Sequence, residues 1–122
     1  MAKEKLPEPC PAKAGLQQRP QMTCDQALEV ESLFGVLAND TRLRLLHAIA
    51  RAEEICASDL ADAVEMKPQA VSNQLQRLLD KGIVARRRDG NNVFYRIVDN
   101  CVIVLLERAL CLVEESERRS NR

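Results

Sequence analysis

Residues 66–97, MKPQAVSNQLQRLLDKGIVARRRDGNNVFYRI, constrain the fold more than any other part of this chain. Pro68 stands at the start of a helical pattern, where a missing backbone N–H costs nothing, and Val71, Leu75, Leu78 and Leu79 follow at helical spacing. Gly82 is a stop signal for that helix. Ile83 to Arg88 and Val93 to Ile97 are short runs rich in β-branched, aromatic and basic residues, and Asp89-Gly90-Asn91-Asn92 between them is a hairpin-turn signal. The stretch therefore predicts a helix starting at Lys67 or Pro68 and running to about Lys81, then a two-stranded hairpin carrying Arg86, Arg87 and Arg88.

The flanking sequence supplies only helices. Thr23 or Asp25 can cap a first helix whose apolar positions, from Ala27 to Leu37, continue to about Ala38. Asn39-Asp40 breaks it, and a second helix is expected from Thr41 to about Arg51. A short third helix, capped by Ser58, is expected from Asp59 to about Val64, only three residues before the next one. After the hairpin, Asn100 to about Glu117 reads as a last helix, with Val102 to Leu106, Ala109, Leu110, Leu112 and Val113 too widely distributed for one narrow stripe. The order is four helices, a hairpin and a fifth helix: a mainly α fold with a β-hairpin (α+β), in the winged helix-turn-helix arrangement. A terminal helix this apolar in 122 residues needs cover from outside the chain, and the same helix of a second copy would provide it. Residues 24–119 are thus expected to be one domain that pairs with a second copy through its last helix. Four of the five prolines fall in residues 1–23, which read as a flexible arm, with 120–122 as a tail.

Formal net charge is zero, but it is not evenly spread. Residues 66–98 hold seven Lys and Arg against two Asp and Glu, a local +5, whereas residues 24–65 hold three against nine, a local −6. Affinity for duplex DNA follows the phosphates neutralised locally, so the positive segment can serve it despite the neutral total. In the helix-turn-helix arrangement the second helix enters the major groove. Lys67, Gln69, Ser72, Asn73, Gln74 and Gln76 are the expected major-groove contacts, and Arg86, Arg87, Arg88 and Asn91 the expected minor-groove or backbone contacts.

Other classes find little support. No run approaches the roughly 20 apolar residues of a membrane span and no apolar signal core opens the chain, so a cytoplasmic protein is expected. The single histidine, His47, is read as a packed core side chain beside Leu45, Leu46 and Ile49. With no nucleophile near a recognisable base and no Gly-rich phosphate loop, an enzyme is not expected. The five cysteines form no Cys-x-x-Cys pair and are read as reduced thiols rather than a disulfide framework.

The segments LANDTRLRLLHAI (37–49), EICASDLADAV (54–64), AVSNQLQRLLDKGIVARRRDGNNVFYRI (70–97) and the DNC opening of the last helix together resemble the ArsR/SmtB family of dimeric metal-responsive repressors, over about residues 28–115. The resemblance implies a homodimer, joined through its first and last helices, that occupies a palindromic operator in double-stranded DNA and leaves it when a metal ion binds. Two family features differ here: Ser-x-His in the recognition helix is Ser72-Asn73-Gln74, and Cys-x-Cys in the third helix is Cys56-Ala57-Ser58.

Thiolates select thiophilic ions, so the resemblance and the cysteines together imply an inducer such as Hg(II), placed ahead of Cd(II), Pb(II) or Zn(II). Cys101 and Cys111 lie ten residues apart, ~15 Å along a helix, too far for one ion unless an antiparallel partner helix brings the second from another chain. Cys24, at the start of the first helix, is the candidate third thiolate of that site. The family's last-helix site implies Asp99 and Glu115 as further donors, and its arm-to-third-helix site implies Cys56 with Cys10 or Cys24. A regulator that answers to thiol oxidation instead of metal is the alternative.

Overall fold

The computed structural model describes residues 14–120. They fall into two compact units, residues 14–98 and residues 99–120. The first holds a 3-10 turn at Leu16–Gln18, then α1 (Cys24–Leu37), α2 (Asp40–Ala52), β1 (Ile55–Cys56), α3 (Ala57–Val64), α4 (Pro68–Asp80), β2 (Val84–Asp89) and β3 (Asn92–Ile97); the second is α5 (Asn100–Ser120). Apart from β1 and the 3-10 turn, this is the order expected from sequence. Cys10 and the rest of residues 1–13 lie outside the described residues, as do 121 and 122.

Helix ends are set by local chemistry. Thr23 Oγ1 accepts from the Gln26 N–H while Gln26 returns a side-chain bond to the Thr23 N–H, a reciprocal capping box that starts α1. Asn39 does not merely break the chain: its Oδ1 accepts from the Arg42 N–H at 3.0 Å and caps α2. Two arginines of α2 then close the ends of its neighbours. Arg42 Nε donates to the Val36 carbonyl in the last turn of α1, and Arg44 Nη2 donates to the Val64 carbonyl that ends α3. Ser58 is not the cap of α3; the helix opens two residues earlier with Cys56 at the capping position and no side-chain bond there.

The core of residues 14–98 is built from the buried faces of three helices and the hairpin. Leu45, Leu46 and Ile49 come from α2, Leu60, Ala61 and Val64 from α3, and Val71, Leu75 and Leu78 from α4, closed by Ile83, Val84 and Tyr95. Each fully buried leucine contributes roughly 1.5–3 kcal/mol through the apolar surface it removes from water. His47 is exposed, correcting the expectation of a packed side chain: it lies one position beyond Leu46 and so projects away from the stripe formed by Leu45, Leu46 and Ile49.

α3 and α4 are separated by Glu65, Met66 and Lys67. Glu65 takes a left-handed conformation (φ 57°, ψ 48°), and the Met66 and Glu65 N–H groups bond back to Ala61 and Asp62. The same device ends α4. There Gly82 has φ 79°, its N–H donates to the Leu79 carbonyl, and the Ile83 N–H donates to that of Leu78, which turns the chain directly into β2. The sheet order is β1-β3-β2, antiparallel throughout, with Val84 opposite Ile97 and Asp89 opposite Asn92. Gly90 (φ 65°) and Asn91 make the hairpin turn.

Apolar side chains remain in contact with solvent on both dimerisation candidates. On α1 these include Leu28 and Phe34, 62% and 50% exposed; on α5 they include Leu110, Leu112 and Val113. Within α5, Val102, Ile103, Leu105 and Leu106 are half-buried.

Candidate nucleic-acid interface and thiol positions

The outward face of α4 carries a continuous set of polar groups. Lys67, Gln69, Ser72, Asn73, Gln76 and Arg77 are all exposed. Three of them are steadied along the helix, because Gln69 Nε2 donates to Asn73 Oδ1 (3.1 Å) and Gln76 Nε2 donates to Asp80 Oδ1 (2.7 Å), both one turn apart. Gln74 is set apart from this group. It is half-buried, and its Oε1 accepts from Arg42 Nη1 at 2.8 Å. Pairing with Arg42 was not foreseen from sequence, since it joins residues 32 positions apart.

The three consecutive arginines of β2 are divided by the strand. Arg86, Arg87 and Arg88 face Tyr95, Phe94 and Val93 across the hairpin, so side-chain alternation sends Arg86 and Arg88 to one face and Arg87 to the other. Arg87 is engaged there. Its Nε and Nη2 donate to Glu54 Oε2 and Oε1, each at 2.8 Å, in the fork geometry of a bidentate pair. The same guanidinium lies 4.7 Å from the centroid of the Phe94 ring and 3.8 Å from Asp89 Oδ2. The bond from Arg87 holds the Glu54 carboxyl below its ordinary range, with Arg96 adding to the effect, and Glu54 in turn raises the Arg87 guanidinium. Arg86, Arg88 and Asn91 are exposed, and neither Arg86 nor Arg88 forms an ion pair among the described residues.

The cysteines occupy four separate places among the described residues. Cys24 is exposed at the first position of α1, and Cys111 is exposed on α5. Cys56 is half-buried at the junction of β1 and α3, opposite Phe94, with Sγ 3.5 Å from Ser58 Oγ. These three are free thiols, but Cys101 is disulfide-bonded, which corrects the reading of all five as reduced. Asp99 Oδ1 accepts from the Cys101 N–H at 2.7 Å, capping the start of α5, and Glu115 pairs with Arg118 at 2.9 Å. Among the described residues of one chain, no three of His, Cys, Asp and Glu gather closely enough to hold an ion.

Residues 39–92, from the cap of α2 into the wing, match the profile of the MarR family. A transcriptional repressor SmtB homolog from Synechocystis sp. is 41% identical over 96 residues, which is 79% of this chain and 72% of that protein. The chain belongs to the ArsR/SmtB family. Another relative of this ArsR/SmtB protein, a probable mercury resistance operon repressor of Streptomyces lividans, is 35% identical over 87% of this chain and 84% of its own length. Among solved structures, the AntR antimony-specific transcriptional repressor superposes with a TM-score of 0.76 at 60% identity, covering 89% of this chain and 98% of that one. A homodimeric winged helix-turn-helix DNA-binding domain from Mycobacterium bovis superposes with a TM-score of 0.72 at 26% identity. The fold expected from residues 24–119, a winged helix-turn-helix, is the fold found.

Proposed function

We propose that this ArsR/SmtB protein is a transcriptional repressor that binds a palindromic operator as a homodimer and is released by a thiophilic ion. One observation carries the DNA half of this reading: the exposed face of α4 and the two wing arginines that form no ion pair among the described residues belong to the same +5 segment. Lys67, Gln69, Ser72, Asn73 and Gln76 are the groups offered to a major groove; Arg86, Arg88 and Asn91 are offered to phosphates or a minor groove. Gln74 and Arg87, also expected to touch DNA, already bond within the chain to Arg42 and Glu54, so they are offered to DNA less freely than the others. The exposed apolar faces of α1 and α5 suit a second copy of the chain, which would set two α4 helices one helical turn of DNA apart.

For the inducer, the donor set is soft. Cys24 and Cys111 present free, exposed thiols, and Cys101 supplies a third once its disulfide is reduced. Cys56, with Cys10 or Cys24, is the competing set, and Asp99 and Glu115, both on or beside α5, are the carboxylates that would complete a site with its thiols. Likeness to an antimony-specific repressor at 60% identity supports antimony as inducer ahead of Hg(II), which the cysteines alone favour; Cd(II), Pb(II) and Zn(II) follow.

The test is an operator titration under reducing conditions with antimonite or Hg(II) added in turn. Either ion should weaken operator binding, and Cys→Ser at 24, 101 or 111 should abolish the response while leaving ion-free DNA binding intact. Unchanged affinity with both ions would refute the sensor assignment. Response that survives all three substitutions and disappears with C56S would move the site to the competing set.

A further inference from the structure

α1 is tied to α4 at two points. Arg42, projecting from α2, donates through Nε to the Val36 carbonyl of α1 (2.6 Å) and through Nη1 to Gln74 Oε1 of α4 (2.8 Å), so one guanidinium bridges the two helices. Farther along, Lys81 at the C-cap of α4 donates from Nζ to Ser32 Oγ of α1 at 2.6 Å. Ser32 and Val36 are one turn apart on α1, and Gln74 and Lys81 are two turns apart on α4, ~10 Å along its axis. One attachment leaves a pivot; two on a common line fix an angle.

The attachments also lie on a particular side of α4. At about 100° per residue, Lys81 falls within ~20° of Gln74, while Gln69, Ser72 and Gln76 fall about 140–160° away. Both ties therefore hold the helix from behind and leave its polar face free. Arg42 is itself fixed in place, since its backbone N–H is the one that Asn39 caps.

We propose that Arg42 and Lys81 are positioning residues for DNA reading: together they bind α1 to the back of α4, so that the two helices turn as one body. Whatever holds α1, whether a second chain on its exposed apolar face or an ion at Cys24, then sets the angle at which Ser72 and Gln76 meet a groove. This rests on the DNA-reading function proposed above and adds to it a route from α1 to the interface that makes no use of the wing.

The experiment compares the full chain with K81M, Q74M and the double variant K81M/Q74M, and with Q74E, which keeps the acceptor for Arg42. Lys81 is exposed and Gln74 is not part of the apolar core, so these changes avoid the risk of unfolding that R42M carries. In the free protein, residual dipolar couplings of backbone amides report the angle between α1 and α4. In parallel, affinity is measured for a duplex enriched from a random pool by the wild-type chain and for an unselected duplex.

The double variant should lose the single fixed angle and bind the enriched duplex roughly tenfold more weakly, in proportion to the charge-assisted bonds removed, with the unselected duplex changed less than about twofold. Q74E should keep the wild-type angle and the wild-type preference. A general loss of stability would weaken both duplexes alike and would overturn the positioning role. An unchanged angle in the double variant would overturn the proposal directly, as would a changed angle with undiminished preference. If the wild-type chain enriches no duplex at all, the DNA-reading proposal fails and the positioning role with it; that outcome is told apart from failure of the tie itself by the angle, which is measured without DNA.

Discussion

Substituting the wing arginines one at a time separates the two faces of β2. Arg86 and Arg88 make no ion pair among the described residues, whereas Arg87 spends its guanidinium on both oxygens of Glu54 and on the Phe94 ring. Each phosphate neutralised on B-DNA contributes about 0.9 to the slope of log affinity against log salt. In the proposed dimer, R86Q/R88Q removes two such contacts from each of two chains, so the slope should become shallower by about 3.6. Between 50 and 200 mM salt, the fourfold span over which such slopes are read, this amounts to roughly a hundredfold smaller loss of affinity. R87Q should leave the slope within about 0.5 of wild type, because its charge is already compensated within the chain. Fluorescence anisotropy with a labelled operator across that range is sufficient. A slope that falls as much for R87Q as for R86Q, or that fails to move in the double variant, would refute the division of the wing.

Three further substitutions test the supports of that interface. The Glu54 carboxyl titrates below its ordinary value of 4.5 in the folded chain, so its pair with Arg87 contributes stability in full above about 4.5 and loses it as pH falls through the lowered value. Thermal melts of E54Q should therefore lie below wild type at neutral pH and converge with it in acid; a gap as wide in acid as at neutrality would contradict the assignment. Leu78 is fully buried on α4, and L78A should cost about 2–5 kcal/mol in urea unfolding, a smaller loss meaning that the site collapses around the missing side chain. Glu65 holds a left-handed conformation that an L side chain adopts at a cost, so E65G should raise stability by up to about 1 kcal/mol; destabilisation would show that the Glu side chain contributes more than its backbone strain removes.

Elements with strong local chemistry were legible in the sequence. Pro68 and Gly82 bracket α4 to within a residue of its observed span, and Asp89-Gly90-Asn91-Asn92 places the hairpin turn. β1 was not legible, since two residues show no period and Ile55-Cys56 becomes a strand only by pairing with Tyr95 and Phe94 some 40 positions away. The start of α3 was misplaced because Ser58 looks like a cap, yet the helix forms without any side-chain cap there. His47 was misread by its neighbours in sequence rather than by its angle on the helix. For the interface, the polar face of α4 was visible as a pattern, while the bonds of Gln74 and Arg87 depend on Arg42 and Glu54, partners that only the folded chain brings near. The alternation of Arg86, Arg87 and Arg88 could have been deduced from the hairpin register; which face is occupied could not.

How an ion could release DNA is narrowed by charge. A thiophilic ion takes thiolates as ligands and displaces their protons, so Hg(II) bound by two thiols, or trivalent antimony by three, leaves the net charge of the site unchanged. Binding therefore neither repels phosphate nor weakens the +5 field of residues 66–98, which contain no cysteine. Electrostatics alone leaves the inducer silent, and release has to come from geometry. Such a signal needs a rigid connection between a thiol-bearing element and α4. For Cys24 that connection exists, as α1 is held to the back of α4 by Arg42 and by Lys81. It follows that a saturating ion should shift the operator affinity without altering its salt slope, because the same arginines still meet the same phosphates whenever the complex forms. A slope that became shallower with the ion bound would mean instead that wing contacts are being withdrawn, and that the angle of α4 is not what the ion changes.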